Sequence, residues 1–434
     1  MQHTFIGIDL GTSGCRACLI DDDKNLLQEA RRAFPQPSIQ GQRVEQDAAI
    51  WWQAVTSVLT ELCQHPAAQS LVAISVDGTS STVLVTDEHY QPLAAALMYN
   101  DGRATEQARL IDSVAPPEAS AVRSASSGLS KLLWLLEQFP DSRKMCHQAD
   151  YIAGKLSGHY VSDFNNGLKT GFDPESQNWP EWLSKLPIPA GMLPDVYAPG
   201  TLTGKLTAAN KSRFGISNSV YIVAGTTDSI AGFLATGASD IGDAVTSLGS
   251  TIAIKLLSPV AINSPSEGIY SHSINNAWLA GGASNAGGSV LTALFDDATL
   301  QQLSQQLNFE QSTGLNYYPL TKTGERFPEN DAGKAACLSP RPDSDVEFLQ
   351  AILEALTAIE KKGYEVLAQK GAPLAKKIFT VGGGSKNIKW MQHRDKQLHG
   401  QVISAKHSEA CYGSALLARQ GFIKMNNKEQ PSND

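Results

Sequence analysis

Two short segments, far apart in the chain, are built for the same chemistry. Leu10-Gly11-Thr12-Ser13 lies between apolar runs at 5–9 and 16–20, and Leu248-Gly249-Ser250-Thr251 lies between apolar runs at 244–248 and 252–256. A strand, a glycine-containing turn and a second strand make an anion cradle. The glycine lets the backbone approach closely, and successive N–H groups point at oxygens of the anion. Thr12, Ser13, Ser250 and Thr251 add hydroxyl donors. Two such hairpins suit a polyphosphate held from both sides. Asp9 ends the first apolar run. A carboxylate beside phosphates calls for a cation, and Mg²⁺ held directly or through water is the fitting one. Taken singly, each segment also fits an ordinary hairpin turn with a solvated carboxylate beside it.

Gly225-Thr-Thr-Asp228-Ser opens a helix. Asp228 there is either an N-cap, a contribution of about 1 kcal/mol, or a base that takes a proton from a hydroxyl nucleophile, as phosphoryl transfer requires. Gly382-Gly-Gly-Ser-Lys-Asn387 stands between a strand and a helix. It is either a plain turn or bare backbone against which a flat adenine can lie. Other nucleotide and metal signatures are missing. There is no G-x-x-x-x-G-K-[ST], no strand-to-helix G-x-G-x-x-G and no H-E-x-x-H, and the nine histidines have no ligand spacing. Cys15-Arg-Ala-Cys18 has the C-x-x-C form but falls on a strand, where residues three apart face opposite ways. With no second cysteine pair or neighbouring histidine, no metal or redox role is assigned to it.

The elements that must position these residues alternate between strand and helix. Strands are expected at 5–9, 16–20 and 26–30. A helix follows at 47–63, with Asp47 as its N-cap and apolar residues at helical spacing. Strands at 71–76 and 82–85 precede helices at 105–113, 131–138 and 147–156. Residues 165–199 are rich in Pro, Gly and Trp and read as an ordered irregular insertion that buries Phe172, Trp179 and Trp182. Beyond it come a strand at 220–224, a helix at 230–236, the strands at 244–248 and 252–256, helices at 285–295 and 345–369, a strand at 377–381 and a last helix at 410–420. The polar tail, 426–434, is expected to be disordered. The recurrence of one hairpin so far along the chain points to a duplicated domain.

Composition narrows the classes. Lys and Arg number 35 against 43 Asp and Glu, a formal charge of −8, and no basic run exceeds two residues. A dedicated nucleic-acid binder shows a basic stripe instead. With 42% hydrophobic and 18% charged residues, wholesale disorder is excluded. No stretch approaches the roughly 20 apolar residues that span a bilayer, and the first residues run straight into a core strand rather than a leader. Six scattered cysteines fit a reduced compartment. A cytoplasmic monomer or homodimer is expected, with no nucleic-acid or membrane partner.

In order and over essentially the whole chain, these segments resemble the FGGY family of carbohydrate kinases, within the actin-like and hexokinase-like ATPase superfamily. Gly7-Ile-Asp9-Leu-Gly11-Thr-Ser13 looks like the first phosphate motif. Met98-Tyr-Asn-Asp101-Gly-Arg103 looks like the aromatic-Asn-Asp-x-Arg segment on the sugar side. Gly225-Thr-Thr-Asp228 looks like the segment with the catalytic base, and Ser247-Leu-Gly-Ser-Thr251 like the second phosphate motif. Gly281-Gly-Ala-Ser-Asn-Ala-Gly287-Gly and Gly382-Gly-Gly-Ser-Lys-Asn387 look like adenosine-side segments. Glu409-Ala-Cys-Tyr-Gly413-Ser-Ala looks like the closing helix.

The resemblance implies an α/β fold of two ribonuclease H-like (actin-like ATPase) domains around a central cleft. The first would comprise 1–235 plus 409–425, with the sugar side, the first phosphate hairpin and the base. The second would comprise 236–408, with the second hairpin and the adenosine side. The implied reaction is phosphorylation of a terminal sugar or polyol hydroxyl by Mg²⁺–ATP. Asp9 would help position the metal. Gly11, Thr12, Ser13, Gly249, Ser250 and Thr251 would hold phosphates, and Gly383, Gly384, Asn387 and Trp390 the adenine. Asp228 would deprotonate the attacking hydroxyl, and Asp9, Ser13, Asp77 and Ser80 would join it around the substrate. Domain closure would exclude water, the competing nucleophile.

The sugar question turns on Val76-Asp77-Gly78-Thr79-Ser80-Ser81. Xylulose kinases of the family tend to carry Gln-Met-His there and glycerol kinases Gln-Arg-Glu. Thr-Ser-Ser after an Asp looks more like the shorter D-ribulose kinase branch. Tyr99 stands where many relatives have Trp. D-ribulose is therefore the expected substrate, with D-xylulose or another ketose or polyol as the alternative. An actin-like nucleotide-binding sugar sensor with little turnover is a reading of a different class. Such a sensor has no use for a base at Asp228.

Overall fold

The computed structural model describes residues 2–429 apart from 115, 118 and 119. The chain divides into two units. Unit 1 comprises Met1–Ala235 with Glu409–Asp434, and unit 2 comprises Thr236–Ser408.

Unit 1 is built on a six-stranded sheet. Its strands are β1 (Thr4–Leu10), β2 (Gly14–Asp21), β3 (Leu26–Ala33), β4 (Leu71–Gly78), β5 (Leu202–Lys205) and β6 (Tyr221–Thr227). They lie in the order β5-β6-β4-β1-β2-β3. β1, β4 and β6 are parallel neighbours, whereas β2 and β3 run antiparallel. All seven residues of β1 are buried, which requires cover on both faces. Ile6, Ile8 and Leu10 pack with Trp51, Val55 and Leu59 of helix α1 (Ala48–Leu62). Asp47 caps that helix by accepting from the Ala49 N–H. Phe5 faces the other way, towards Cys411, Ala415 and Phe422. The two cysteines of the C-x-x-C divide in the same manner, Cys15 into the first cluster and Cys18 into the second, and both are free thiols.

Helix α2 (Gln148–Ser157) packs against β4, and helix α3 (Asp228–Ala235) follows β6 directly. A second, five-stranded sheet within unit 1 joins Ser38–Gln40, Arg43–Gln46, Val83–Thr86, Ala96–Leu97 and Lys144–His147. The insertion after residue 165 is ordered as expected. Phe172 is buried, Trp179 and Trp182 are half-buried, and the indole of Trp179 donates to the Pro194 carbonyl.

Unit 2 repeats the pattern with β7 (Asp243–Leu248), β8 (Ile252–Ser258), β9 (Tyr270–Ile274), β10 (Ala277–Ala283), β11 (Lys377–Val381) and β12 (Gln401–Ser404). Their order is β9-β10-β8-β7-β11-β12. The hairpin β7–β8 is antiparallel, β10 continues it antiparallel, and β11 and β12 run parallel to β7. Helices α4 (Gly288–Leu294), α5 (Asp345–Gln369) and α6 (Ile388–Gln397) complete the unit. Set side by side, β3-β2-β1-β4-β6 and β10-β8-β7-β11-β12 have one order and one set of directions. Each is a ribonuclease H-like sheet, the actin-like ATPase architecture, and the fold is α/β throughout.

The last helix, α7 (Ala410–Glu429), belongs to unit 1. It crosses β1 and α3 closely. A Cβ added at Gly7 would stand 1.9 Å from the Cys411 carbonyl oxygen, and one at Gly413 would stand 1.8 Å from that of Ala231. The helix runs past residue 420 and through 426–429, where disorder was expected. Phe422 and Met425 dock on the Phe5–Val223 cluster and carry the helix onward. Residues 430–434 of that tail lie outside the described residues. The expected helix at 285–295 starts only at Gly288, because the Ser284 hydroxyl and the Asn285 N–H are both bound to the Glu325 carboxylate. Among the described residues, no helix is long and apolar enough to cross a membrane.

Candidate active site

In unit 1, parallel pairing brings three carboxyl groups to one end of the sheet. Asp9 of β1 pairs in register with Asp77 of β4, Asp77 pairs with Thr226 of β6, and Asp228 begins α3 just beyond β6. Asp77 is fully buried, and its Oδ2 accepts from the Ser414 hydroxyl of α7 at 2.5 Å. Its Oδ1 meets no donor. Burial, followed by the charge of Asp9, pushes the Asp77 carboxyl well above the usual range. Protonated, Asp77 can donate a hydrogen bond to Asp9. Burial also raises Asp9, to about 6. The Asp77 hydrogen bond opposes that rise, and the nearby charge of Asp228 adds to it. The pair thus shares a proton, as close carboxyl groups must when neither can be fully solvated. Asp228 is half-buried, and its Oδ1 accepts from the Ser229 N–H at 2.6 Å.

The first hairpin turn is fixed by its backbone, which leaves its side chains unengaged. Gly11 N–H donates to Gly14, Phe34 N–H to the Ser13 carbonyl, and Gln46 Nε2 to the Thr12 carbonyl. Among the described residues, no hydrogen bond engages the hydroxyls of Thr12 and Ser13.

The sugar-side segments expected from sequence also lie in unit 1. Thr82 N–H donates to the Thr79 carbonyl, closing a turn with Ser81 at φ +67°. Ser80 Oγ is buried without a partner. Asp101 and Arg103 form a brace. Asp101 accepts from the Val44 N–H at 2.6 Å and from Arg103, whose guanidinium also reaches Glu45 and lies 4.7 Å from the Trp134 ring centroid. Behind them the Lys131 ammonium is fully buried and donates to the Met98 carbonyl at 2.8 Å. Tyr99 is left exposed.

Unit 2 brings the second hairpin together with both expected adenosine-side segments. Gly288 N–H donates to the Gly249 carbonyl and Ser289 N–H to that of Ser250. A Cβ at Gly287 would stand 2.5 Å from Thr251 Cα. Gly382, at φ +88°, lies so close to the end of β7 that a Cβ would stand 2.6 Å from the Leu248 carbonyl oxygen. The hydroxyls of Ser250 and Thr251, like those of the first hairpin, are unengaged among the described residues. Gly383 has open space around its Cα.

Of the residues expected at the adenine, Trp390 is placed otherwise. Trp390 is 3% exposed, donates from its indole to Thr357 Oγ1 and lies beneath Gly384, where a Cβ would meet its ring at 2.6 Å. A ring so enclosed has no free face to stack, so Trp390 supports the glycine turn from below. Asn387 caps α6 by accepting from the Trp390 N–H and donates one amide hydrogen to Ser304, which leaves its second N–H and the second lone pair of its oxygen unassigned. The sequence reading missed Ser414, Gln148 and Lys131. Each acts through a partner distant in the chain; no local motif marks Gln148 or Lys131, and the closing-helix segment that contains Ser414 does not reveal its bond to Asp77. Among the described residues, no group of three or more His, Cys, Asp or Glu is arranged to hold a metal ion unaided.

Comparison with known proteins bears on both units. The N-terminal-domain profile of the FGGY family of carbohydrate kinases matches residues 4–235, and the C-terminal-domain profile matches residues 244–420. A xylulose kinase of Staphylococcus xylosus is 24% identical over 440 residues, covering 96% of this chain and 90% of that protein. The crystal structure of a xyloylose kinase from Brucella ovis superposes with a TM-score of 0.88 at 24% identity, covering 97% of this chain and 91% of that one. That of a gluconate kinase from Lactobacillus acidophilus gives 0.86 at 20% identity, covering 98% and 90%. With both family domains matched in order across nearly its whole length, the chain belongs to the FGGY family of carbohydrate kinases and is a sugar-phosphorylating phosphotransferase.

Proposed function

We propose that this kinase transfers the γ-phosphoryl group of ATP, bound with Mg²⁺, to a terminal hydroxyl of a ketopentose, converting D-ribulose to D-ribulose 5-phosphate. The observation that carries the reading is the cluster of Asp9, Asp77 and Asp228 at neighbouring strand ends, beside a hairpin whose hydroxyls are unengaged. Asp228 is the base that accepts the proton of the attacking hydroxyl. Thr12, Ser13, Ser250 and Thr251, with the backbone of Gly11 and Gly249, are the phosphate donors. The backbone of Gly383 and Gly384 borders the adenine.

The donor set fits a divalent cation of the Mg²⁺ type. Such an ion keeps several waters and takes one or two carboxylates plus substrate phosphates, so a complete protein cage is not needed. Asp9 is the carboxylate for it, and a positive charge nearby would offset the burial and the Asp228 charge that raise it. The metal would supply neutralisation of phosphate charge.

For the sugar, the Thr79-Ser80-Ser81 turn supports D-ribulose, whereas Asp77, expected around the substrate, is fully buried against Ser414 and acts only from behind Asp9. The names of relatives such as the Staphylococcus xylosus enzyme favour D-xylulose as the second reading. ADP release with Mg²⁺–ATP and D-ribulose, D-xylulose, L-ribulose, L-xylulose, glycerol or no sugar separates them. A preference for D-ribulose is expected, and activity only with another sugar discards the pocket argument. Asp228→Asn is expected to lower kcat by about 10²–10⁴-fold with ATP binding retained. Wild-type turnover in that variant would remove Asp228 from the role of base.

A further inference from the structure

The turn at residues 79–82 is held in place by one residue of a helix that carries none of the expected motifs. Gln148, the first residue of α2, is fully buried. Its Oε1 accepts from the Thr79 N–H at 2.9 Å and from the Thr79 hydroxyl at 2.7 Å. Its own N–H donates to the Thr82 carbonyl. The Thr79 and Thr82 hydroxyls lie 2.6 Å apart. Because the Thr79 hydroxyl donates to Gln148, Thr82 donates to Thr79. One residue therefore grips both ends of the turn, and the direction of every bond follows.

The grip has work to do. Ser81 sits at φ +67°, a left-handed conformation that a side chain disfavours and that persists only when the surroundings impose it. The grip also leaves polar atoms unsatisfied. The Thr79 N–H can only donate, so Gln148 must turn its oxygen to it, and Nε2 is left buried without an acceptor. Ser80 Oγ, on the gripped turn, is likewise buried without a partner. Leaving such atoms unmatched costs a fold stability. An arrangement selected for stability alone would have filled these positions with apolar groups.

We infer that Gln148 is a positioning residue for sugar selection. It clamps the 79–82 turn so that the segment carrying Ser80 meets the ketose in one fixed geometry. This rests on the reading of that turn as the sugar side. A site preorganised to hydrogen-bond a particular hydroxyl pattern discriminates strongly against a stereoisomer that leaves its donors unmatched. A loose turn can adapt to either.

The test compares steady-state kinetics of Q148M, Q148E and S80A with wild type on D-ribulose and D-xylulose, alongside KM for ATP and thermal midpoints. Q148M keeps the length of the side chain and removes its acceptor. It is expected to raise KM for the preferred sugar about tenfold and to shrink the ratio of kcat/KM between the two sugars by a similar factor, with KM for ATP unchanged. Q148E keeps an acceptor for both Thr79 donors and is expected to restore most of the discrimination. A merely structural residue would lower the thermal midpoint while leaving the sugar ratio as in wild type, and that result overturns the inference. If S80A changes the sugar ratio and Q148M does not, the clamp is wrong while the sugar-side reading stands. If neither changes it, both fall. Should Q148M not fold, T79V removes only the hydroxyl arm of the clamp and carries the same expectation at smaller size.

Discussion

Replacing Lys131 with Met isolates the cost of a buried ammonium behind the Met98–Arg103 segment. The amine is fully buried, with the Met98 carbonyl as its partner. Burial pulls it down from 10.5 to about 7. The charge of Asp101 works against the fall, and that of Arg103 adds to it. The unfolded chain therefore binds a proton that the folded chain gives up between pH 7 and 10.5. Wherever the unfolded state holds more protons, stability rises with pH. Across the full interval the rise is about 5 kcal/mol, at 1.36 kcal/mol per pKa unit. Between pH 7 and pH 9, with the folded amine half-titrated at the lower end, it is about 2 kcal/mol. For a urea dependence of a few kcal/mol per molar, that moves the midpoint by roughly 1 M.

The assay is urea unfolding of wild type and K131M at pH 7 and pH 9. Other groups that titrate in this range act equally on both proteins and cancel in the difference of slopes. Wild type is expected to gain about 2 kcal/mol more than K131M on going to pH 9. At pH 7 the variant should be the more stable by about 1–3 kcal/mol, because wild type there still carries about 4 kcal/mol of the penalty. The variant is relieved of a desolvated amine but leaves the Met98 carbonyl unmatched, a cost of about 1–3 kcal/mol. Equal pH slopes in the two proteins would refute the assignment of a depressed amine to Lys131.

Three further variants probe the scaffold. In unit 2, Arg394 and Glu360 are both fully buried and joined by two bonds at 2.6 and 2.7 Å, with Thr246 of β7 and Thr380 of β11 bound to the pair. Arg394→Met leaves a buried charge uncompensated and is expected to destabilise unit 2 by about 3–5 kcal/mol, whereas the double variant E360Q/R394M recovers part of that loss; a double variant less stable than R394M would reverse the argument. In unit 1, Gly413→Ala drives a methyl group into the Ala231 backbone, so soluble expression and circular dichroism should show α7 undocked. A folded variant with wild-type stability would mean that the close crossing of α7 over α3 is not needed.

Much of this architecture is legible because local chemistry encodes it. The helix Asp345–Gln369 and the strand Lys377–Val381 begin and end where apolar spacing and flanking residues place them. Asp47 caps α1 as its type and position demand. The two hairpins stand out because a glycine followed by hydroxyl residues between apolar runs is a local signal. The five-stranded sheet of unit 1 was only partly visible. Its strand Ala96–Leu97 has two residues, too few for any alternation to register. Trp390 was misplaced for a related reason. A motif names the residues near an adenine, but whether a side chain points outward or into the core is decided by packing. Ser414 contacts Asp77 across 337 positions, and Gln148 contacts Thr79 across 69. No window along the sequence reaches that far.

The duplication also explains why one unit holds the acids. Gly11 and Gly249 occupy the same place in the two sheets, each at the turn of the central hairpin. Two residues before them stand Asp9 in unit 1 and Ser247 in unit 2. On the neighbouring parallel strand, Asp9 pairs with Asp77, and Ser247 pairs with Val381. The same two lattice points that hold a proton-sharing carboxyl pair in one copy hold a hydroxyl and an aliphatic side chain in the other. Unit 2 instead carries its charges inside the core, neutralised as Glu360 and Arg394 and facing away from any chemistry. A neutral hairpin end suits an anionic polyphosphate, which carboxylates would repel. A carboxylate-rich end suits a proton acceptor and a cation. The two sheets, alike in strand order, thus differ in charge at equivalent positions. That divergence supports a division of labour in which unit 2 binds nucleotide and unit 1 carries the acid–base chemistry.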